Sequence, residues 1–375
     1  MKKVLAILLA SALLTGTMAG CSAKSSNTTQ AETTTGSGTQ AATQAATEES
    51  SGELTTIRVA VLNQQLALPI YYIQTMGWDV ENGFKLDIST FAQGSGINEA
   101  LGSGLVDVFT IGAAAISSCC TYDAVYLFSH EDSGAGQQFM VRGDSDIAAT
   151  KGYLAEFPDV YGTPETIRDT TFLLPMGTAA QILADVYLDS FGLSEDDVTL
   201  VNMSDDATAY QAFVSGQGDF AKTSYPSADN YTDDYVNAFS MNSMNVPYYD
   251  NILCSRAFFD NADNHDALVA LCEQIIRAAD AFKDEKLLMD TMMAWYDVCG
   301  VTADASSIEH QVLERPFFTY EDLTSIDSSA SFKLTAEFYA VVGNISDSDL
   351  EKVYANMDST ILDEALEAFA ADYRK

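Results

Sequence analysis

Apolar and polar positions along this chain fall into short runs of two kinds, and the runs alternate. Ile57-Arg58-Val59-Ala60-Val61-Leu62 is rich in β-branched residues and stops at Asn63-Gln64-Gln65, as a strand does when it leaves a core for a loop. Pro69 then suits the first turn of a helix, where its missing N–H costs nothing. That helix carries Tyr71, Tyr72, Ile73 and Met76 and stops near Gly77. Lys85 to Phe91 alternates as a half-buried strand. Gly94-Ser95-Gly96 follows as a turn, Asn98 to Leu101 starts the next helix, and Gly102 and Gly104 close it. Asp107 to Gly112 reads as a third, buried strand.

The same order recurs further on. Thr171 to Pro175 reads as a strand, Met176-Gly177-Thr178 as a turn, and Ala179 to Phe191 as a helix ended by Gly192. Asp197 to Asn202 is a strand, Ala207 to Ser215 a helix ended by Gly216, and Asp219 to Ala221 a short strand. Strands alternating with helices imply an α/β fold with mostly parallel sheets covered on both faces. The repeat of the pattern implies two separate lobes. From Asp266 the period changes to that of helices: Leu268, Leu271, Ile275, Ala278 and Phe282 share one stripe. Segments 284–298, 330–342, 347–357 and 360–373 complete a helical C-terminal third, expected to pack on the first lobe.

The first residues read differently. Lys2 and Lys3 precede an apolar run from Val4 to Leu14, too short to span a bilayer, which needs ~20 apolar residues. Met18-Ala19-Gly20-Cys21 resembles the lipobox of bacterial lipoproteins, with Met18 where Leu is usual, and this implies acylation of Cys21 after removal of residues 1–20. Residues 22–53 are mostly Ser, Thr, Gln, Ala and Gly with scattered Glu, and hold no large apolar side chain. Such a segment buries too little surface to offset its ordering entropy, so 21–53 is expected to be a lipid-anchored, disordered tether.

Charge narrows the partners. The net charge is −36, and becomes −38 without residues 1–20, which hold two lysines and no acid. That sign argues against nucleic acid and against adsorption to an anionic membrane face. Besides Cys21 the chain has Cys119, Cys120, Cys254, Cys272 and Cys299, with no C-x-x-C and no zinc-like Cys/His spacing. They read as buried thiols, and no metal or cofactor is expected.

Two segments carry a family resemblance. One runs from Pro69-Ile70-Tyr71-Tyr72 through Gly83 to Asp87, then Gly94, Glu99-Ala100-Leu101, Gly104 and Asp107 to Gly112. The other runs from Gly177-Thr178-Ala179 through Phe191-Gly192-Leu193, Asp197-Val198, Ala212, Ser215-Gly216 and Asp219. Together they resemble binding proteins of the nitrate, sulfonate and taurine group, which includes binders of thiamine-pyrimidine precursors. The resemblance implies a two-lobed periplasmic-binding-protein (type II) fold: lobe one from 54–138, lobe two from 139–249, and 250–375 returning to lobe one with the C-terminal helices. The chain would cross near Gly136 to Val141 and return near Pro247 to Leu253. It implies a monomeric, extracytoplasmic protein that captures a small molecule in the interlobe cleft and delivers it to the permease of an ABC importer. Two alternatives stand beside it. One is a receptor lipoprotein on the same fold without a transporter. The other is an enzyme akin to the superfamily's pyrimidine synthases, suggested by Cys119-Cys120, although His130, His265 and His310 are scattered and no nucleophile or metal motif is present.

Open α/β sheets bind ligands outside the carboxyl ends of their strands. The residues there are Asn63 and Gln64 after the first strand, Gly94 and Ser95 after the second, and Ala113 and Ala114 after the third. In the second half they are Gly177, Thr178 and Ala179, then Ser224 and Tyr225. The two Gly-containing turns precede helices, whose N-termini suit an acidic group; equally, Gly94 reads as a turn residue and Thr178 as an N-cap. Tyr71 is a candidate for stacking on a planar ligand, or else a core residue. Between Leu54 and Tyr249 the basic residues are Arg58, Lys85, Arg142, Lys151, Arg168 and Lys222, and of these Lys222 falls near a cleft loop.

Overall fold

A computed structural model describes residues 54–225 and 234–374. The expected signal peptide, the tether and Cys21 lie outside the described residues. Ten strands form two five-stranded sheets. The first sheet holds β1 (Thr55–Leu62), β2 (Phe84–Phe91), β3 (Val108–Ile111), β4 (Val125–Asp132) and β10 (Tyr249–Cys254), in the order β2-β1-β3-β10-β4. The second holds β5 (Gln138–Arg142), β6 (Thr171–Leu174), β7 (Thr199–Asn202), β8 (Phe220–Thr223) and β9 (Tyr235–Ser240), in the order β7-β6-β8-β5-β9.

The two orders are one topology used twice. β1 pairs in parallel with β2 and β3, placing Ile57 opposite Leu86 and Val59 opposite Val108. β6 pairs in parallel with β7 and β8 in the same way. In each sheet one strand runs against its neighbours: β10 against β3 and β4, β5 against β8 and β9. Each reversed strand is the first that the chain lays down after crossing from the other lobe. The crossings are residues 133–137 and 241–248. The expected mostly parallel sheets are therefore mixed, because two return passes through the interlobe connection force one strand per sheet to run backwards.

Lobe one buries Ile57, Val59, Val61, Phe84 and Leu86 against the helices His265–Ala281 and Glu285–Cys299, through Leu271, Ile275, Met292 and Trp295. The lobe-two core is aromatic. Tyr187 lies 3.7 Å centroid to centroid over Phe239, and Phe172 lies 4.1 Å over Phe220. The buried Tyr187 hydroxyl donates to the Tyr161 carbonyl at 2.7 Å, so its polar end is satisfied. The C-terminal helices do not all keep to lobe one. Helix Ala330–Val341 buries Phe332 and Ala336 in lobe one while Leu334 and Phe338 pack against the lobe-two core. Helix Ala305–Glu314 interrupts what the sequence pattern left as a connection.

Two local expectations are corrected. The helix after β2 starts at Gly94, four residues before Asn98, so Gly94, Ser95 and Gly96 form its first turn. Tyr71 is core packing: its ring lies 5.2 Å from that of Trp295, on the helix Leu68–Met76 that Gly77 ends with φ of 72°. Its neighbour Tyr72 packs edge-on against Trp78.

Candidate functional site

Four helices begin immediately beyond parallel strands and meet at the space between the two sheets. In lobe one these are Gly94–Gly102 after β2 and Ala115–Tyr122 after β3; in lobe two they are Ala179–Ser190 after β6 and Asp206–Val214 after β7. Between them lies a cavity of about 880 Å³. Gly94 is required by this convergence. A Cβ there would stand 2.8 Å from the Ala114 Cβ and 3.1 Å from the Ile111 side chain. The lobe-two helix starts carry side-chain caps: the Thr178 hydroxyl accepts from the Ala180 N–H at 3.2 Å, and Asp205 accepts from the Thr208 N–H at 2.7 Å. The lobe-one starts, after Gln93 and Ala114, have no side-chain cap.

Nine of the residues expected at a ligand site line this cavity: Gln64, Gly94, Ala113, Ala114, Gly177, Thr178, Ala179, Ser224 and Tyr225. Asn63 and Ser95 do not, and Tyr71 belongs to the lobe-one core. Asn63 follows β1, its N–H donating to the Phe91 carbonyl at 3.2 Å. Ser95 sits in the first helical turn, exposed. Lys222 does line the cavity, but as a buried side chain. Its ammonium donates to Asp206 at 2.9 Å and to the Thr223 carbonyl at 2.7 Å.

The floor of the cleft leaves no local signal in the sequence. Tyr248, Asp250, Arg315 and Tyr339 line it. Arg315 is buried, with Nη2 3.1 Å from Asp250 and 2.8 Å from Glu131. The Asp250 contact is a hydrogen bond; the Glu131 contact has ion-pair distance only, and both Glu131 carboxyl oxygens lack a hydrogen-bond partner. Burial accordingly pushes the Glu131 carboxyl well above the usual carboxylate range, against the pull of Arg315. Arg315 in turn is fixed through its carbonyl, which accepts from Gln65 Nε2 at 2.6 Å. No spacing could have shown this group, because Glu131, Asp250 and Arg315 come from three distant segments, and Arg315 follows an unforeseen helix.

Two contacts tie the lobes at the cleft rim. The Tyr225 hydroxyl donates to the Glu314 carboxylate, and Asn344 Nδ2 donates to the Gly177 carbonyl at 3.1 Å. Gly177 has φ of 70°, a conformation that side chains disfavour. Behind it, the Gly177 N–H donates to Gln181 Oε1 at 2.9 Å and Gln181 Nε2 donates to Glu195 at 2.7 Å. Asp185 lies beside Glu195; burial, then the Glu195 charge, raise its pKa to about 7. The sign follows: the folded state holds this proton more tightly than the unfolded chain, so its stabilisation is complete below the unfolded value near 3.8 and is lost as pH rises to about 7. Urea unfolding at pH 5 and pH 8 should show Asp185→Asn losing about 1 kcal/mol less than the wild type over that interval, the modest size reflecting screening of a partly exposed group.

Among the described residues no group of acidic, His or Cys side chains is arranged to hold a metal ion, and no helix is long and apolar enough to cross a membrane. The five described cysteines are free thiols. Cys119 is buried, with its thiol pushed up by burial. His130 is buried between the Leu66 and Asp250 carbonyls, 3.0 and 3.1 Å away, and burial lowers its pKa.

The chain is 32% identical over 319 residues to a protein of Brachyspira hyodysenteriae provisionally described as an ABC transporter periplasmic binding protein, covering 84% of this chain and 91% of that one. Its fold is similar to that of the periplasmic aliphatic sulphonate binding protein SsuA of Escherichia coli, with a TM-score of 0.62, 15% identity, and coverage of 80% and 92% of the two chains. It is also similar to the periplasmic nitrate-binding protein NrtA of Synechocystis, with a TM-score of 0.61, 12% identity, and coverage of 86% and 91%. No protein-family model matches the chain.

Proposed function

This chain belongs to the periplasmic binding proteins of ABC transporters, and on that footing we propose that it is a lipid-anchored, monomeric binding protein that captures one small molecule between its lobes and delivers it to an importer's permease. The observation that carries this reading is the convergence of four helix starts, two from each lobe, on one 880 Å³ cavity. Ligand pockets of about 300–1,000 Å³ are the common range. Two connections join the lobes, and a pair of lobes joined so can rotate about them. Closure on a ligand would bring both lobes' surfaces into the arrangement that a permease reads.

Binding without chemistry is the better-supported role. The groups that an enzyme reading would use are spent or remote: His130 is buried between carbonyls, His265 pairs with Glu364 on the surface, and Cys119 is a buried thiol. Attachment rests on Cys21. A Cys21→Ser variant expressed in a bacterial host should move from the membrane pellet to the soluble fraction; retention in the pellet after a high-salt wash would refute the lipid anchor.

The ligand is sought by thermal shift on residues 22–375. The panel holds nitrate, taurine, alkanesulfonates, bicarbonate, pyrimidine precursors, riboflavin and aromatic acids. A true ligand at 100 times its Kd should stabilise the fold by about 2.7 kcal/mol. A folded protein that no small molecule stabilises would contradict the proposal.

A further inference from the structure

The charges of the cleft sort the ligands it can take. Among the described residues five charged side chains line the cavity: Asp205, Asp206, Asp250, Lys222 and Arg315. Both basic groups are already committed. Lys222, 1% exposed, holds Asp206 and the Thr223 carbonyl. Arg315, 6% exposed, holds Asp250 and faces Glu131.

The acidic side is not balanced. Around Arg315 stand Glu131 and Asp250 in contact, with Asp132 next in the chain, its carboxylate accepting from the Gly134 N–H at 2.9 Å. Of these carboxyl groups Asp250 lines the cavity, and it gives the guanidinium Oδ2 alone. Across the cleft, Asp206 gives only one of its oxygens, Oδ2, to Lys222. The helix start at Asp206 is occupied by the protein's own acids, Asp205 as cap and Asp206 in the first turn. The starts at Gly94, Ala115 and Ala179 offer fractional positive charge, about half a unit each and confined to the first turn. Contact with a full carboxylate outweighs that for a ligand bearing one charge. Tyr225, Tyr248 and Tyr339 add three aromatic rings to the lining. Burial raises the Tyr248 and Tyr339 phenols, which keeps them neutral, and neutral phenol rings attract cations over their faces.

We propose that the cleft selects an organic cation of the amine, amidine or guanidine type, held between Asp250 on lobe one and Asp206 on lobe two, in preference to an oxyanion. This rests on the reading of the cleft as the ligand site. It departs from the substrates named for the structural neighbours, whose likeness at 12–15% identity extends to the fold.

The test uses matched probes of opposite sign: benzamidine against benzoate, propylguanidine against propanesulfonate, and tetramethylammonium against nitrate. Thermal shift and titration calorimetry are run on the wild type, Asp206→Asn, Asp250→Asn and Gly112→Leu, with circular dichroism confirming that each variant folds. At least one cation should raise the Tm while its matched anion does not, and its Kd should rise about tenfold or more in each Asn variant. Should Asp250→Asn fail to fold, Asp206→Asn alone decides. Anions that stabilise the wild type but not Gly112→Leu would overturn the charge preference and leave the cleft reading intact. Silence from all probes would also overturn it. Equal shifts in the wild type and Gly112→Leu would place the binding elsewhere and overturn both.

Discussion

Arg315→Met lowers folding stability by about 3–5 kcal/mol at pH 7, the cost of leaving a buried charge cluster without its cation. The residue is 6% exposed and faces Glu131 and Asp250, themselves 0% and 5% exposed. Methionine fills much of the arginine's volume, so little of the loss comes from packing. Burial already holds the Glu131 carboxyl well above the usual range. Its protonation relieves part of the repulsion, and the loss should therefore be smaller at pH 5 than at pH 7. The triple variant Arg315→Met, Glu131→Gln, Asp250→Asn should recover more than half of it. Urea unfolding of the single and triple variants at both pH values measures this. A single variant within 1 kcal/mol of wild type would show that the cluster is not buried as described.

Gly112→Leu raises the Kd for the cleft ligand about a hundredfold or more while costing about 1–3 kcal/mol of stability. Gly112 follows β3 and lines the cavity. A Cβ at this position would stand 3.0 Å from Asp250 Oδ1 and 3.2 Å from the Tyr248 hydroxyl. Those neighbours must shift, and the remaining branch occupies ligand space. Titration calorimetry with whichever compound stabilises the wild type checks the binding loss. Unchanged affinity in a folded variant would remove Gly112, and with it the cleft floor, from the site.

The parts of the fold that the hydrophobic pattern revealed are those whose burial is simple. β1, β2 and β6 carry apolar residues in clean register, and helix His265–Ala281 has one apolar stripe ending in the lobe-one core. β4 and β10 were illegible as strands for a physical reason. Val125–Asp132 includes Ser129, His130 and Glu131, and Tyr249–Cys254 includes Asp250 and Asn251, all buried. Polar residues inside a strand erase its apolar signature unless their partners are known. Here Asn251 Oδ1 accepts from the Ser129 hydroxyl at 2.8 Å, and Asp250 answers Arg315 from sixty-five positions away. The cleft loops were legible because strand ends and helix starts leave local marks, such as the Thr178 cap. Tyr71 misled because an aromatic residue in a first helical turn looks the same whether it meets a ligand or Trp295. Lys222 falls near a cleft loop as its position implied, but the sequence did not show that Asp206, sixteen residues earlier, holds it as a buried ion pair.

Where a small molecule sits decides whether the cleft is the binding site. The most direct measurement is a crystal structure of residues 22–375 grown with the compound that gives the largest thermal shift. Density is expected between the lobes, in contact with Tyr248 and Asp250 below and with the helix starts at Gly94 and Ala179 at the sides. Density anywhere outside that cavity, with the cleft holding solvent, would contradict that placement.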